Sequence, residues 1–241
     1  MNDVDKKLKE IRSSLEQETR IDLHHHPVEV DCRHNVVTIR GELGTVAAKK
    51  LALEYATALA DGIAVVDRLK VRPAQAMEDG ALCDLVFEAL YGETAFNDFI
   101  LHSKVGGSQK GYRETPRAPT GSIEIDVKDG VVTLTGEVES YAHKALAGVL
   151  AWWRRGTRDV VNNLAVEHPM DDTDGEMTDT LRMVLEKDRF LDPAQIRVHC
   201  RGFTAILDGL VKNTMEKELA ESDAWCVFGV MDVENRLRVR E

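Results

Sequence analysis

The sequence predicts an α+β protein made of three tandem αββαβ units, each a small three-stranded mixed sheet with two helices packed on one face. Three observations predict it. The stretch "IEIDVKDGVVTLTGEVES" (Ile123 to Ser140) holds two apolar-alternating runs around a tight turn. Nearly the same text, "VEVDCRHNVVTIRGELGT", stands 95 residues earlier. An amphipathic helical stretch precedes each of these hairpins and a third, more divergent one.

The middle unit justifies the elements in order. Ile123, Ile125 and Val127 alternate with Glu124, Asp126 and Lys128, the period of a half-buried strand. Asp129-Gly130 supplies the positive φ angles of a two-residue hairpin turn, Val132 and Leu134 continue the alternation, and Gly136 ends the strand. Ser140 is a potential N-cap for a helix that places Leu146, Leu150 and Trp153 on one face. "RDVVNNLAV" then reads as a closing strand.

A shift of 95 carries Gly136 to Gly41, Leu146 to Leu51, Leu150 to Tyr55, and "VVNNLAV" (Val160 to Val166) to "VVDRLKV" (Val65 to Val71). A forward shift of 73 carries Gly136 to Gly209, Leu146 to Leu219, and the closing strand to "VENRLRV" (Val233 to Val239). The third hairpin needs one residue of adjustment, because Gly202 stands 72 after Gly130, and a bulge or shifted turn would absorb it. The preceding helices carry Val4, Leu8, Ile11 and Leu15; Leu82, Leu85, Val86 and Leu90; and Met177, Leu181, Val184 and Leu185.

These spacings divide the chain into residues 1–73, 78–168 and 174–241, with linkers near "RPAQAMED" and "HPMDDTDG". The middle unit is longer by residues 102–122, "HSKVGGSQKGYRETPRAPTGS", which reads as an inserted Gly/Ser/Pro-rich loop.

The pattern "IEIDVKDGVVTLTGEVES…KALAG…RDVVNNLAV" resembles the BON domain, named for bacterial osmotically inducible and nodulation proteins. Unit two carries the resemblance through Gly130, Val131, Val132, Leu134, Gly136, Val160, Asn162 and Val166, and unit one through Val36, Val37, Ile39, Gly41, Gly62, Val66 and Val71. Unit three departs most, with Phe203, Ala205 and Ile206 where "VVTL" is expected. The resemblance implies small αββαβ sandwiches that bind phospholipid surfaces or support envelope and osmotic-stress tolerance. It also implies an alternative, a cytoplasmic potassium-responsive module, because a cytoplasmic relative binds that ion. The matched residues are glycines and core valines, so they specify a fold rather than a reaction.

Composition narrows the classes further. Apolar residues at 43% and charged residues at 30% fit a folded globular chain. A net charge of −11 disfavours unspecific nucleic-acid binding. The four cysteines, Cys32, Cys83, Cys200 and Cys226, form no CxxC pair and read as reduced, buried thiols. "MNDVDKKLKEIRSSLEQETR" has no apolar core of a signal peptide, so the expected location is the cytoplasm, or the periphery of the inner membrane. GxSxG, HExxH and GxGxxG are all missing, and the expected protein is non-enzymatic, with no cofactor. "GGSQKG" is not a phosphate loop, since Tyr112 follows Gly111 where the motif needs Lys. His24 to His26 cannot all face one ion on an extended segment and read as a loop, so no metal site is expected.

Two candidate sites remain. Lys104, Lys110, Arg113 and Arg117 against Glu114 alone give the insert a net +3 in an acidic protein, suited to an anionic phospholipid headgroup. In "AWWRRG", Trp152 is expected to turn toward solvent beside Arg154 and Arg155 as a lipid anchor. Trp225, 73 residues on, is expected to sit in an exposed partner-binding patch. The expected function is a stress-related binding module for an anionic phospholipid surface or a protein partner. The alternative is a self-associating structural scaffold.

Overall fold

The computed structural model describes residues 3–115, 118–167 and 173–240. The first copy contains α1 (Asp3–Gln17), β1 (Val28–Arg33), β2 (Val36–Leu43), α2 (Val46–Ala60) and β3 (Ala64–Val71). The second contains α3 (Asp79–Gly92), β4 (Phe99–Val105), β5 (Ser108–Arg113), β6 (Gly121–Lys128), β7 (Val131–Val138), α4 (Tyr141–Trp152) and β8 (Asp159–Val166). The third contains α5 (Thr173–Lys187), β9 (Ile196–Arg201), β10 (Thr204–Val211), α6 (Thr214–Cys226) and β11 (Asp232–Val239). In each copy an antiparallel hairpin is followed by a helix and a closing strand that pairs parallel with the second hairpin strand.

One set of local devices recurs. The hairpin turns His34-Asn35, Asp129-Gly130 and Gly202-Phe203 all hold both residues at positive φ, the geometry that matches the twist of the flanking strands. The third turn corrects the expected bulge. Register runs without a shift from Thr204↔Arg201 to Gly209↔Ile196, and the offset of 73 holds throughout. The glycine has moved to the first turn position, leaving Phe203 in the left-handed conformation at φ 67. Thr45, Ser140 and Asn213 cap the helices after the hairpins by accepting from the backbone N–H of Ala48, His143 and Glu216. At Gly136 and Gly209 a Cβ would stand 2.1 Å from Ser122 O and 2.0 Å from Gln195 O, so close approach of the paired strand requires glycine.

A polar latch joins each closing strand to its helix. Asn162 Nδ2 donates to the Lys144 carbonyl at 2.7 Å, and Asn235 Nδ2 donates to the Lys217 carbonyl at 3.0 Å. The first copy has Asp67 at this position. Its carboxylate accepts from the Lys49 ammonium at 2.9 Å, and that ammonium also donates to Leu69 O. Lys49, Lys144 and Lys217 are equivalent positions, so a side chain does in copy one what backbone does in the other two.

The insert is the main departure from expectation. Residues 102–122 are not a plain loop: β4 pairs parallel with β6, β5 pairs antiparallel with β4, and the sheet has five strands in the order β5-β4-β6-β7-β8. The middle unit is therefore not three-stranded like the first and third. The physical reason lies in "FILHSKV": Phe99, Leu101 and Ser103 are buried on the helix side while Ile100, His102 and Lys104 alternate with them. Gly106 and Gly107, both at positive φ, turn the chain into β5.

Residues 1–72 form one compact unit and residues 73–241 another. The second unit contains copies two and three, which pack through helices. In α4 every residue from Ala145 to Ala151 is buried. Leu146, Ala147, Leu150 and Ala151 belong to the core of copy two, and Met183 of α5 packs against that same core. The α4 helix meets both α5 and α6.

Candidate functional site

The basic residues of the insert are held by internal partners. Lys104 stands 2.6 Å from Glu124 on the neighbouring strand β6. Lys110 pairs with Asp84 at 2.7 Å and donates to the Gly80 carbonyl, both on α3. Arg113 donates to the carbonyls of Tyr91 at 3.0 Å, Phe99 at 3.2 Å and Phe96, and its guanidinium lies 4.9 Å from the centre of the Tyr91 ring. Burial holds the Arg113 pKa below the ordinary arginine value. Lys110 and Arg113 fasten β5 to α3. Arg117 lies outside the described residues.

The end of α4 differs from expectation in a related way. Trp152 is half-buried rather than turned fully to solvent. Arg154 is also half-buried, donates to Leu150 O at 3.1 Å, and has its pKa pushed down by burial. Arg155 is exposed and reaches Gln75 Oε1 at 3.5 Å. Trp225 is only 2% exposed, so this side chain does not itself sit in an exposed patch as expected. The shift of 73 places Trp225 at the Trp152 position, but a helix face in a repeat faces whatever its neighbours supply. The indole N–H of Trp225 is buried with no partner among the described residues.

The junction of copies two and three carries polar contacts, at both ends of α4, that the sequence reading missed. Asp223 on α6 is 2% exposed and accepts from Trp153 Nε1 at 2.8 Å. Burial pushes its carboxyl up to about 8, the neighbouring Asp188 adds to the rise, and the Trp153 bond opposes it. At the opposite end of α4 the Tyr141 hydroxyl donates to Phe228 O, Tyr141 N–H donates to Glu176 Oε1 at 3.2 Å, and the Lys144 ammonium stands 4.5 Å from the Phe228 ring centre. A Cβ on Gly229 would stand 2.6 Å from the Tyr141 hydroxyl, so glycine admits that contact. The signal was present: the shift of 73 carries apolar Leu150 onto Asp223, an acid on a core-facing helical position.

A second missed feature is an open groove of about 850 Å³ along β9, with Arg182 and Glu186 of α5 on one side and Ile196 to His199 on the other. His25 bonds to Asp22 at 2.7 Å, and His26 Nδ1 lies 3.1 Å from Glu42 O of β2. Among the described residues no group of three or more His, Cys, Asp or Glu side chains could hold a metal ion. Cys83, Cys200 and Cys226 are buried free thiols, and Cys32 is half-buried. Among the described residues no helix is long and apolar enough to cross a membrane.

The family model for the BON domain matches residues 7–73, 109–168 and 173–241. The chain belongs to the BON domain family. The second BON match begins inside β5, so α3 and β4 lie before it. No curated protein matches. Two solved structures of CdsD, a structural protein of the type III secretion system of Chlamydia trachomatis, are similar to this chain. One is 15% identical, covering 97% of this chain and 93% of that one, with a TM-score of 0.24. The other, the CdsD C-terminal domain, is 14% identical over 100% of both chains, with a TM-score of 0.25. At those scores the likeness carries no argument about this chain.

Proposed function

We propose that this chain is a non-enzymatic, stress-related BON scaffold whose second and third copies act as one packed block that engages a polypeptide partner. The observation that supports this reading is the use made of the basic insert. Lys104 and Lys110 pair with Glu124 and Asp84, and Arg113 donates to backbone carbonyls, so each already has a partner in the fold and is less available to a lipid headgroup. The insert closes a sheet edge and stiffens copy two, a scaffold's requirement.

An anionic phospholipid surface is the second reading, favoured by one observation: exposed Arg155 stands near half-buried Trp152 at the end of α4. Vesicle flotation separates the two. Under the scaffold reading the chain stays unbound with both anionic and neutral vesicles, while cross-linking with mass spectrometry maps a polypeptide onto residues 73–241. Salt-sensitive flotation with anionic vesicles alone, lost in Arg155→Glu, would replace the scaffold reading with the lipid one.

A further inference from the structure

We propose that Asp223 is a proton-operated clasp between copies two and three: with its proton the carboxyl holds the Trp153 indole across the junction, and without it the clasp lets go. The device lies inside the packed block of the two copies and holds whichever partner that block engages.

The two halves of the clasp come from different copies. Trp153 follows α4, and its ring packs on the core of copy two. Its indole N–H points out of that core and donates to Asp223 Oδ1, on α6 of copy three, at 2.8 Å. Asp223 is 2% exposed, so water reaches almost none of it. The second oxygen, Oδ2, is buried and has no hydrogen-bond partner among the described residues. One neutral donor for two buried oxygens is too little for a carboxylate and enough for a protonated acid.

The surroundings supply no cation to make up the difference. Helix α6 packs against α4, α5, β10 and β11. From α4 comes Trp153, and from the end of α5 comes Asp188, a second acid that disfavours ionisation further. Strands β10 and β11 bury apolar Ala205, Leu207, Val233 and Leu237, and the Asn235 amide serves Lys217 O and Glu221 of α6. The cations nearby in the chain are engaged elsewhere: Lys187 with Glu93 at 2.6 Å, Arg189 over the Phe190 ring, and Arg154 on Leu150 O. The fold does not require an acid at this place either, because the repeat puts Leu150 and Tyr55 at the same position in copies two and one.

The sign follows from where the proton is kept. In the closed junction Asp223 holds its proton up to about 8, whereas a carboxyl opened to water returns to its ordinary 3.8. Between those values the opened junction binds fewer protons. Opening therefore becomes easier as pH rises from about 4 to about 8, by about tenfold per pH unit, and is level above that.

Hydrogen exchange of the full chain between pH 5 and pH 8 tests this, with each rate divided by that of the same group in an unfolded peptide. After that division the Trp153 indole and the last amides of α6 are expected to gain about tenfold per pH unit, and to exchange ahead of the β7 amides throughout. Asp223→Asn keeps an acceptor for the indole and cannot ionise, so its profile is expected to be flat. Asp188→Asn removes the neighbouring charge, so its profile is expected to level at a lower pH than that of the wild type. A merely structural role for either acid would not move the shape of these profiles. A flat wild-type profile, or the wild-type slope retained in Asp223→Asn, overturns the proposal. So does exchange of the indole and the β7 amides at one common protection, since the block then opens only by unfolding whole. Should Asp223→Asn fail to fold, Asp188→Asn decides, and a levelling point unmoved from the wild type's overturns the clasp.

Discussion

Helices α2 and α4 occupy the same place in copies one and two, yet they meet different surroundings. Both begin at a hydroxyl N-cap and lay small apolar residues on their own sheet. On the opposite side α2 carries Lys50 and Glu54, whereas α4 carries Ala145 and Val149 at the equivalent positions. Glu54 is exposed and Val149 fully buried. A helix apolar on all sides must be covered on all sides, and α5 and α6 of copy three supply that cover. The two regions share a fold and differ in whether the helical layer has a second customer. In α6, Glu218 and Ser222 stand at these positions and are exposed, so the packing between copies is not a property of the repeat itself.

The strongest way to break this comparison is to give α4 the residue that α2 carries. Val149→Glu buries a carboxylate between copies two and three and is expected to cost about 3–5 kcal/mol. Residues 73–241 should then unfold in urea in two transitions rather than one. Glu54→Val in copy one should stay within about 0.5 kcal/mol of wild type, as a surface change. Equal effects from the two substitutions would mean that the packing of α4 against copy three contributes little.

The second prediction concerns Asp223. Its folded-state carboxyl, pushed up to about 8 against an ordinary 3.8, keeps a proton that the unfolded chain has lost. Between those two values the folded state binds more protons, so stability falls as pH rises from about 4 to about 8 and is level above that. Asp223→Asn keeps an oxygen for the Trp153 indole and cannot ionise. It is expected to stabilise residues 73–241 by about 2 kcal/mol at pH 8 and to lose that advantage by pH 4, read from Tm across a pH series. A gain independent of pH would show that Asp223 is not the titrating group.

How much of this was legible follows from which contacts are local. Turns, caps and strand alternation involve residues within a few positions of each other, so the text around Asp129-Gly130 carries them and even the shift onto Gly202-Phe203 is explicable in hindsight. The β4 strand is half legible: "FILHSKV" alternates, but its first three residues stand between the helix and the insert without an element of their own, and the rest read as the start of an inserted loop. The side-chain partners were illegible. Nothing near Lys110 in sequence names Asp84 or Gly80, and nothing near Arg113 names the carbonyls of Tyr91, Phe96 and Phe99. Those pairings exist because β5 folds back over α3, so Lys110 and Arg113 look free in the sequence although the fold gives each a partner. Trp225 failed for the opposite reason. The repeat equates positions, whereas exposure depends on neighbours that the repeat does not share.

A third test sharpens the comparison at the latch. Lys49→Met leaves Asp67 without its ammonium and also removes a donor from Leu69 O, and is expected to cost about 1–2 kcal/mol. Lys144→Met leaves the Asn162 bond intact, because Asn162 holds the Lys144 carbonyl rather than its side chain. Only the contact of its ammonium with Phe228 is lost, at about 0.5 kcal/mol. Urea denaturation of the two variants checks the ratio. Equal costs would show that the first copy's Asp-for-Asn exchange is not compensated by Lys49.

A last contrast lies at the position shared by Tyr55, Leu150 and Asp223. In copy one the Tyr55 hydroxyl donates to Glu18 at 3.0 Å, and Arg20 pairs with the same carboxylate at 2.9 Å. Arg20 first, with Tyr55 assisting, pulls the Glu18 carboxyl down to about 2 from an ordinary 4.5. The sign is opposite to that of Asp223: the stabilisation is present above 4.5 and is lost as pH falls from there toward 2. Screened by solvent, it is expected to be worth about 1 kcal/mol. Glu18→Gln should therefore destabilise residues 1–72 by about that amount at pH 7 and be neutral near pH 2, by thermal unfolding monitored at the two values. If Glu18→Gln instead lowers Tm equally at both, the bond to Tyr55 matters for shape and not for charge, and the two regions would not differ in their response to acid at this position.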